Sequence, residues 1–584
     1  MSNECNAINC LIAKTNKINK KIDDYSWTIE TSATIDGPIT SGPLKIKNKD
    51  KVKFIGDISV KKGSVIVDFT KLSNISTNIT YFTGANEVKS ITEPGLVFLE
   101  GINGQYTINP GECNDGDIIN ILKSKNQEGW FPIINGVAPP DGTVYSILKY
   151  GDTLYIGGSW TNELGNVPNT ARLAKYVDGA TGWQPVIEGV APPDNIVLSI
   201  VKYGDTLYIG GNWSNNLGVL NTEFLAKYVD GATGWQPVIE GIAPPDNIVL
   251  SIVKYGDTLY IGGNWSNNLG VQNTEFLAKY VDGATGWQPV IEGIAPPYDK
   301  VFSIVKYGDT LYIGGDWTNE LGGVQNTTRL AKYVDGATGW QPVVEGVAPP
   351  DGAVLSILKD SNGTLYIGGY WGTNLGVSLN TKNLAKYVNG ATGWQPVVEG
   401  VAPPDGSVLS IVKYGDTLYI GGDWSNKLGN VLNTEFLAKY VDGSTGWQPV
   451  IEGVAPPTNT VRSILKDSNG TLYIGGDWTN NLGNVPNTAR LAKYVDGSTG
   501  WQPVIKGVAP PSGEVLSILK DSNGTLYIGG DWTNELGNVS NTKFLAKLNS
   551  TTVTNDNTSY LMNNISNSLK FICRDNNYIK VNNI

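Results

Sequence analysis

A flat aromatic ring beside amide and carboxylate side chains is the combination that holds sugar rings, and this sequence sets it out eight times. Trp160, Trp213, Trp265, Trp317, Trp371, Trp424, Trp478 and Trp532 each stand one residue after a glycine pair. The residue between glycine and tryptophan is Ser159, Asn212, Asn264, Asp316, Tyr370, Asp423, Asp477 and Asp531 in turn. Carboxylate pairs are also on offer. An acidic residue precedes glycine, as in I-E-G, another follows A-P-P, and two such groups can run glycoside hydrolysis. Catalysis, however, needs one asymmetric constellation with pKa values pushed apart, whereas these carboxylates recur from unit to unit. The expectation is therefore a protein without enzymatic activity.

Histidine is absent from all 584 residues. Without imidazole, the usual base near neutral pH and the commonest metal ligand, Ser-His-Asp and Cys-His mechanisms, zinc-finger pairs and histidine-ligated copper or iron are excluded. Cys5, Cys10, Cys113 and Cys573 lie outside the repeats and form no C-x-x-C knuckle. They read as idle thiols, or as a disulfide joining the chain ends in an oxidising destination. No cofactor or metal site is expected.

The residues that could do chemistry ride on a repeat. A G-W pair recurs at Trp130, Trp183, Trp235, Trp287, Trp340, Trp394, Trp447 and Trp501, and with the first series and Trp27 this accounts for all 17 tryptophans. T-L-Y-I-G-G-N-W-S-N-N-L-G occurs from Thr206 and again, letter for letter, from Thr258. The units from Trp183 and Trp235 differ only at Val190 versus Ile242 and Leu220 versus Gln272, as copying of one unit would leave them. A period near 50 residues belongs to propellers and solenoids.

Each period reads as four short strands. In one unit these are I-V-L-S-I-V-K-Y from Ile196, T-L-Y-I-G-G, F-L-A-K-Y-V from Phe224 and W-Q-P-V-I-E from Trp235. All are rich in Val, Ile, Tyr and Phe and bounded by Gly, Asp, Asn or Pro. Four antiparallel strands per unit make a propeller blade. The array opens on a fourth-strand sequence, G-W-F-P-I-I-N-G at 129–136, and ends on a third-strand sequence, F-L-A-K-L at 544–548. The early segment is expected to supply the missing strand and close the ring, removing exposed sheet edges.

The expected fold is all-β: an eight-bladed propeller of four-stranded antiparallel blades at 129–547, closed by an N-terminal strand. A small all-β domain is expected at 1–128, with a polar lead and runs such as K-V-K-F-I-G-D-I-S-V, G-S-V-I-V-D-F, N-I-T-Y-F-T-G and G-L-V-F-L-E-G. A linker and tail follow at 548–584, and the tail's strands are expected to dock on the N-terminal domain.

The repeats hold 25 of the 43 basic and 37 of the 54 acidic residues, a net charge of −12. An acidic surface repels phosphate backbones and anionic lipid, which argues against nucleic-acid or membrane partners. No run of about 20 apolar residues could span a bilayer. The N-terminus lacks the charged and apolar regions of a secretory signal, so cytoplasmic synthesis is expected.

Two alternatives stand for the tryptophans. Large aromatics at fixed positions fill the wedge between face-to-face blades, which suits both series and the G-W series most. The second series opens the longest loop, so Trp160, Trp213, Trp265, Trp317, Trp371, Trp424, Trp478 and Trp532, with Asn212, Asn264, Asp316, Asp423, Asp477 and Asp531, form the candidate binding face. The glycine pair reads as close backbone approach or positive φ. The D-S-N-G stretches, as at Asp360–Gly363, read as hairpin turns because the downstream glutamate of a calcium loop is missing.

The form L-Y-I-G-G-x-W-x-N, L-A-K-Y, D-G-x-T-G-W-x-P resembles the repeats of kelch-like and galactose-oxidase-like propellers, and most closely those of the Rax2 type, over residues 129–547. It departs from true kelch repeats in placing its tyrosine before the glycines. The missing histidines mean that the copper site of galactose oxidase does not carry over. The Asn-, Lys- and Ile-rich flanks and near-identical units are similar to proteins of giant viruses of the mimivirus group. The resemblance implies a scaffold for a protein or particle-surface partner on a virion or particle surface. The alternative is a lectin-like propeller binding glycans multivalently.

Overall fold

The computed structural model describes residues 129–548 with their side chains, and the backbone of strands lying between residues 27 and 123 and between 551 and 581. The chain divides into two compact units: Glu128–Asn549, and Met1–Gln127 together with Ser550–Ile584.

In the larger unit eight antiparallel sheets follow one another. In the first, Val144–Tyr150 pairs with Thr153–Gly158, which pairs with Leu173–Val177. The hairpin between the first two is a two-residue loop with Gly151 at φ +55°, the geometry that matches the right-handed twist of the flanking strands. The same three strands recur to Val515–Lys520, Leu526–Gly530 and Leu545–Leu548. Every first strand carries a β-bulge near its start, between Val144 and Ser146 in the first sheet and Val515 and Ser517 in the last.

The fourth strand is shorter than its sequence suggests. In seven sheets it is one bridging residue, such as Gln184 opposite Lys175 or Gln236 opposite Lys227, and not the six residues of W-Q-P-V-I-E. The proline after each glutamine has no N–H to continue the ladder. The Lys175 ammonium then donates to the Val186 carbonyl at 2.8 Å in place of the next main-chain bond. Val186 and Ile187 turn inward and are buried between sheets.

The eighth sheet has four strands. Trp130–Phe131 pairs antiparallel with Leu545–Leu548, Trp130 opposite Leu548 and Phe131 opposite Lys547. Each sheet packs face to face on the next through one apolar cluster, for example Tyr155, Leu173 and Val186 of the first against Val197, Ile200 and Leu207 of the second. The series returns to its start, where Tyr527 and Leu545 pack with Val144, Leu154 and Ile156.

The glycine pair serves close approach. A Cβ on Gly157 would come within 2.8 Å of Val197 in the next sheet, and one on Gly158 would strike the Thr143 carbonyl and the Trp160 ring. Neither glycine has a positive φ.

In the smaller unit Asn78–Phe82, Gly95–Leu99 and Ile118–Lys123 pair in parallel, and Ser568–Arg574 of the tail runs antiparallel to Ile118–Lys123. Thr551–Asn555 pairs in parallel with Gln105–Pro110. The tail thus joins sheets of the N-terminal segment by main-chain pairing. The polar lead, the G-S-V-I-V-D-F run, Cys5, Cys10 and Cys113 lie outside the described residues, and of Cys573 only the backbone is described.

Candidate interaction faces

The loops joining strands two and three and those joining one blade to the next emerge on one face. Its floor is the predicted tryptophan series. All eight indoles are fully buried, and each Nε1 donates to a threonine carbonyl at 2.8 Å, Trp213 to Thr222 and Trp478 to Thr488 among them. The Thr222 hydroxyl accepts from Leu217 N–H and donates to the Val219 carbonyl, both at 2.7 Å. The ring faces are covered and the polar handle is spent, so these tryptophans cannot stack on a sugar. They are corrected from candidate binding residues to the pillars of their own loops. The G-W series is buried as well, with Trp183 edge-on to Tyr176 at 6.2 Å.

Asn212, Asn264, Asp316 and Asp477 are half-buried, and Asp423 and Asp531 are exposed. Each donates its backbone N–H to the residue just before the following first-strand valine position of its own blade, as Asn212 to Ile196 and Asp531 to Glu514. Their side chains serve local partners: Asp477 accepts from Asn459 at 3.2 Å, Asp423 from the Ser407 N–H, and Asp316 lies 3.7 Å from Arg329. The structure therefore distributes these residues one to a blade and does not gather them into a single site. Among the described residues no three acidic or cysteine side chains cluster in a way that could hold a metal ion.

The aspartates after A-P-P are also occupied. Asp194 accepts from the Ser214 N–H at 2.8 Å and the Ser214 hydroxyl at 3.1 Å, while Asn215 answers by accepting from Asp194 N–H and donating to the Pro192 carbonyl. Burial alone pushes the carboxyls of Asp141, Asp194, Asp351 and Asp405 up, but the converging N–H and hydroxyl donors outweigh it and hold all four below the usual carboxylate range. A general acid needs the opposite shift.

The seam between blades on this face is built on strained backbone. Arg172, Phe224, Phe276, Arg329, Asn383, Phe436, Arg490 and Phe544 all sit near φ +60°, a region costly for bulky residues. Asn383 uses this posture to accept from Trp371 N–H and to donate to the Pro404 carbonyl of the next blade at 2.9 Å.

The opposite face holds residues that the repeat pattern had not singled out. Tyr150, Tyr203, Tyr255 and Tyr307, which end the first strands of four consecutive blades, are 43–49% exposed. Lys202, Lys254 and Lys306 of the next blade lie 5.6–6.0 Å over the rings of Tyr150, Tyr203 and Tyr255. Each lysine is also paired, at 2.6–2.7 Å, with the aspartate that ends its own third strand: Asp230, Asp282 and Asp335. In the fifth, seventh and eighth blades D-S-N-G replaces Y-G-D. Asp360 turns in and accepts from Asn362 and Thr364 N–H at 3.0 and 2.8 Å, as a hairpin turn requires. The signal in the sequence was the Y-G-D to D-S-N-G exchange. Which way the tyrosine points was hidden by the bulge upstream.

Residues 455–478 match the family model described as a two-component regulator propeller. That stretch is the blade-joining loop, the first two strands and Trp478 of one D-S-N-G blade. Among curated proteins, the polarized growth protein L1 of Phoma sp. is 26% identical over 243 residues, which is 38% of this chain and 17% of that protein. The chain thus spans about a sixth of that relative's length. Among solved structures, the extracellular domain of a one-component system of B. thetaiotaomicron is 17% identical, with 70% of this chain and 52% of that one covered and a TM-score of 0.33. YCF48 bound to D1 peptide is 13% identical over 76% of this chain and 99% of that one, with a TM-score of 0.32. The WD40 propeller domain of Doa1 is 10% identical over 71% and 97%, with a TM-score of 0.33.

Proposed function

We propose that residues 129–548 form a closed eight-bladed propeller of the kelch-like kind that acts as a non-enzymatic scaffold for a protein partner. The observation that carries this reading is the allocation of the repeated residues. The tryptophans, glycines, blade-joining aspartates and buried lysines are all consumed in holding blades and loops, while the loops and hairpins that vary most between blades lie at the two rims, where most of their residues are half-buried or exposed. A fold that spends its chemistry on rigidity and its variation on the surface is a presenting scaffold. On this reading the protein works at a particle or cell surface, and the giant-virus likeness of its flanks suits a virion component. A glycan-binding role has lost the tryptophans it would have used and needs other aromatics.

The test is cross-linking in the native source followed by purification of the chain. The expected outcome is a protein partner linked to residues on one rim of the propeller. Recovery of the chain alone, or linked to itself at random, would contradict the scaffold reading.

A further inference from the structure

The tyrosine arc on the hairpin face is asymmetric in a way that selects a partner. Three of its four rings carry a cation from the following blade, and the chemistry of the series is set by that stack. The fourth, Tyr307, is followed by a D-S-N-G blade. There Lys359 is captured by the Gly363 carbonyl and lies 5.6 Å over Tyr312. Among the described residues no lysine lies over Tyr307, and no cation pairs with the exposed Asp309 two residues on. Tyr414 follows the same sequence logic, but its hydroxyl donates to the Ser468 carbonyl, which ties it to the next hairpin.

The charges around the arc have one sign at the surface. Asp152, Asp205, Asp257 and Asp309 of the Y-G-D hairpins are exposed, as are Asp178, Asp230, Asp282 and Asp335. The lysines that pair with the second set keep their side chains buried, at 2–5% exposure. An incoming group meets carboxylates and the outer faces of the tyrosines, and in the first three blades the other ring face already rests on a buried lysine. The D-S-N-G blades offer serine and asparagine at the same level.

The geometry points to this sector, over the first four blades, as the docking surface for a basic peptide segment of a protein partner, with an arginine or lysine seated over Tyr307 beside Asp309. The inference rests on the scaffold reading and adds the chemistry of the partner. The incoming cation repeats at Tyr307 the stack that Lys202, Lys254 and Lys306 supply within the chain, and the surrounding carboxylates steer it.

The test uses the full chain and two probes at physiological salt: a synthetic (Arg-Gly)6 peptide with its neutral citrulline twin, and a random 12-residue phage-displayed library. The arginine peptide is expected to bind at least tenfold more tightly than the citrulline twin. Tyr307→Leu and Asp309→Asn are expected to weaken it severalfold or more, with melting temperature unchanged, while Tyr203→Leu, whose ring is already capped, has less than a twofold effect. Equal loss in Tyr307→Leu and Tyr203→Leu, equal binding of the citrulline twin, or no binding would overturn the proposal. Library peptides without basic residues that bind regardless of Tyr307 would overturn it and leave the scaffold reading standing. A library that yields no binder, together with no arginine-peptide binding, would remove both.

Discussion

At the residue scale the buried indoles decide what the repeat is for. Each takes a large apolar surface out of water and anchors its loop through one hydrogen bond that has no water to replace it. Trp213→Ala should cost about 3–5 kcal/mol, since a cavity adds to the lost transfer energy. Trp213→Phe should cost about 1–3 kcal/mol, because the Thr222 carbonyl is left buried without its donor. Urea denaturation of the full chain checks both, and a loss near zero in either variant would contradict the assignment. The sequence placed these tryptophans beside Asn, Asp and Ser at the start of the longest loop, a setting that reads as exposed. It could not show that the loop folds back over the ring, because the fold-back depends on the left-handed turns at Asn221 and Phe224 and not on hydropathy.

At the scale of the element, the loops are held as pairs. In the four blades that carry both, the blade-joining aspartate and the asparagine two places after the tryptophan lock one loop to the other, and this lock has a pH signature. The carboxyls of Asp194 and Asp405 titrate lower in the folded chain than in the unfolded one, whose value is about 3.9. Between the two values the unfolded chain binds more protons, so stability falls as pH drops. The contribution is present above the unfolded value and is gone once pH passes below the folded one. In an Asp194→Asn, Asp405→Asn double variant, stability at neutral pH should be lower and the acid limb below about pH 4 shallower. An acid limb identical to that of the parent chain would sink this account of the loops. The strands themselves were legible, because runs such as V-L-S-I-V-K-Y and T-L-Y-I-G-G are short, rich in Val, Ile, Leu and Tyr, and bounded by turn residues. W-Q-P-V-I-E looked like a fourth strand by composition, and only its proline warned that the ladder would stop after one residue.

At the scale of the whole molecule, the chain brings residues more than 400 positions apart into register. Lys547 shows the join: its ammonium donates to the Ile133 carbonyl at 2.7 Å and lies 5.5 Å over Tyr176 of the first blade, and burial pushes its pKa down to about 8. Lys227, which donates to Val238 and lies 5.8 Å over Tyr280, makes the same contacts between consecutive blades. The join between the two ends is therefore built like any other seam. The pairing of Trp130–Phe131 with Leu545–Leu548 could be read from the order of units alone, since the array opens on a fourth strand and ends on a third.

Circular closure is the claim on which both rims, and the partner surface argued from one of them, depend. It is tested most directly by a cysteine pair, Phe131→Cys with Lys547→Cys, in a chain whose four native cysteines are replaced by serine. Register partners in an antiparallel sheet lie about 5.5 Å apart at Cα, within reach of a disulfide. Near-complete intramolecular linkage on mild oxidation is predicted, with none for Phe131→Cys paired with Lys493→Cys in the preceding blade. Linkage only between molecules, or equal linkage of the two pairs, would mean that the ends do not meet.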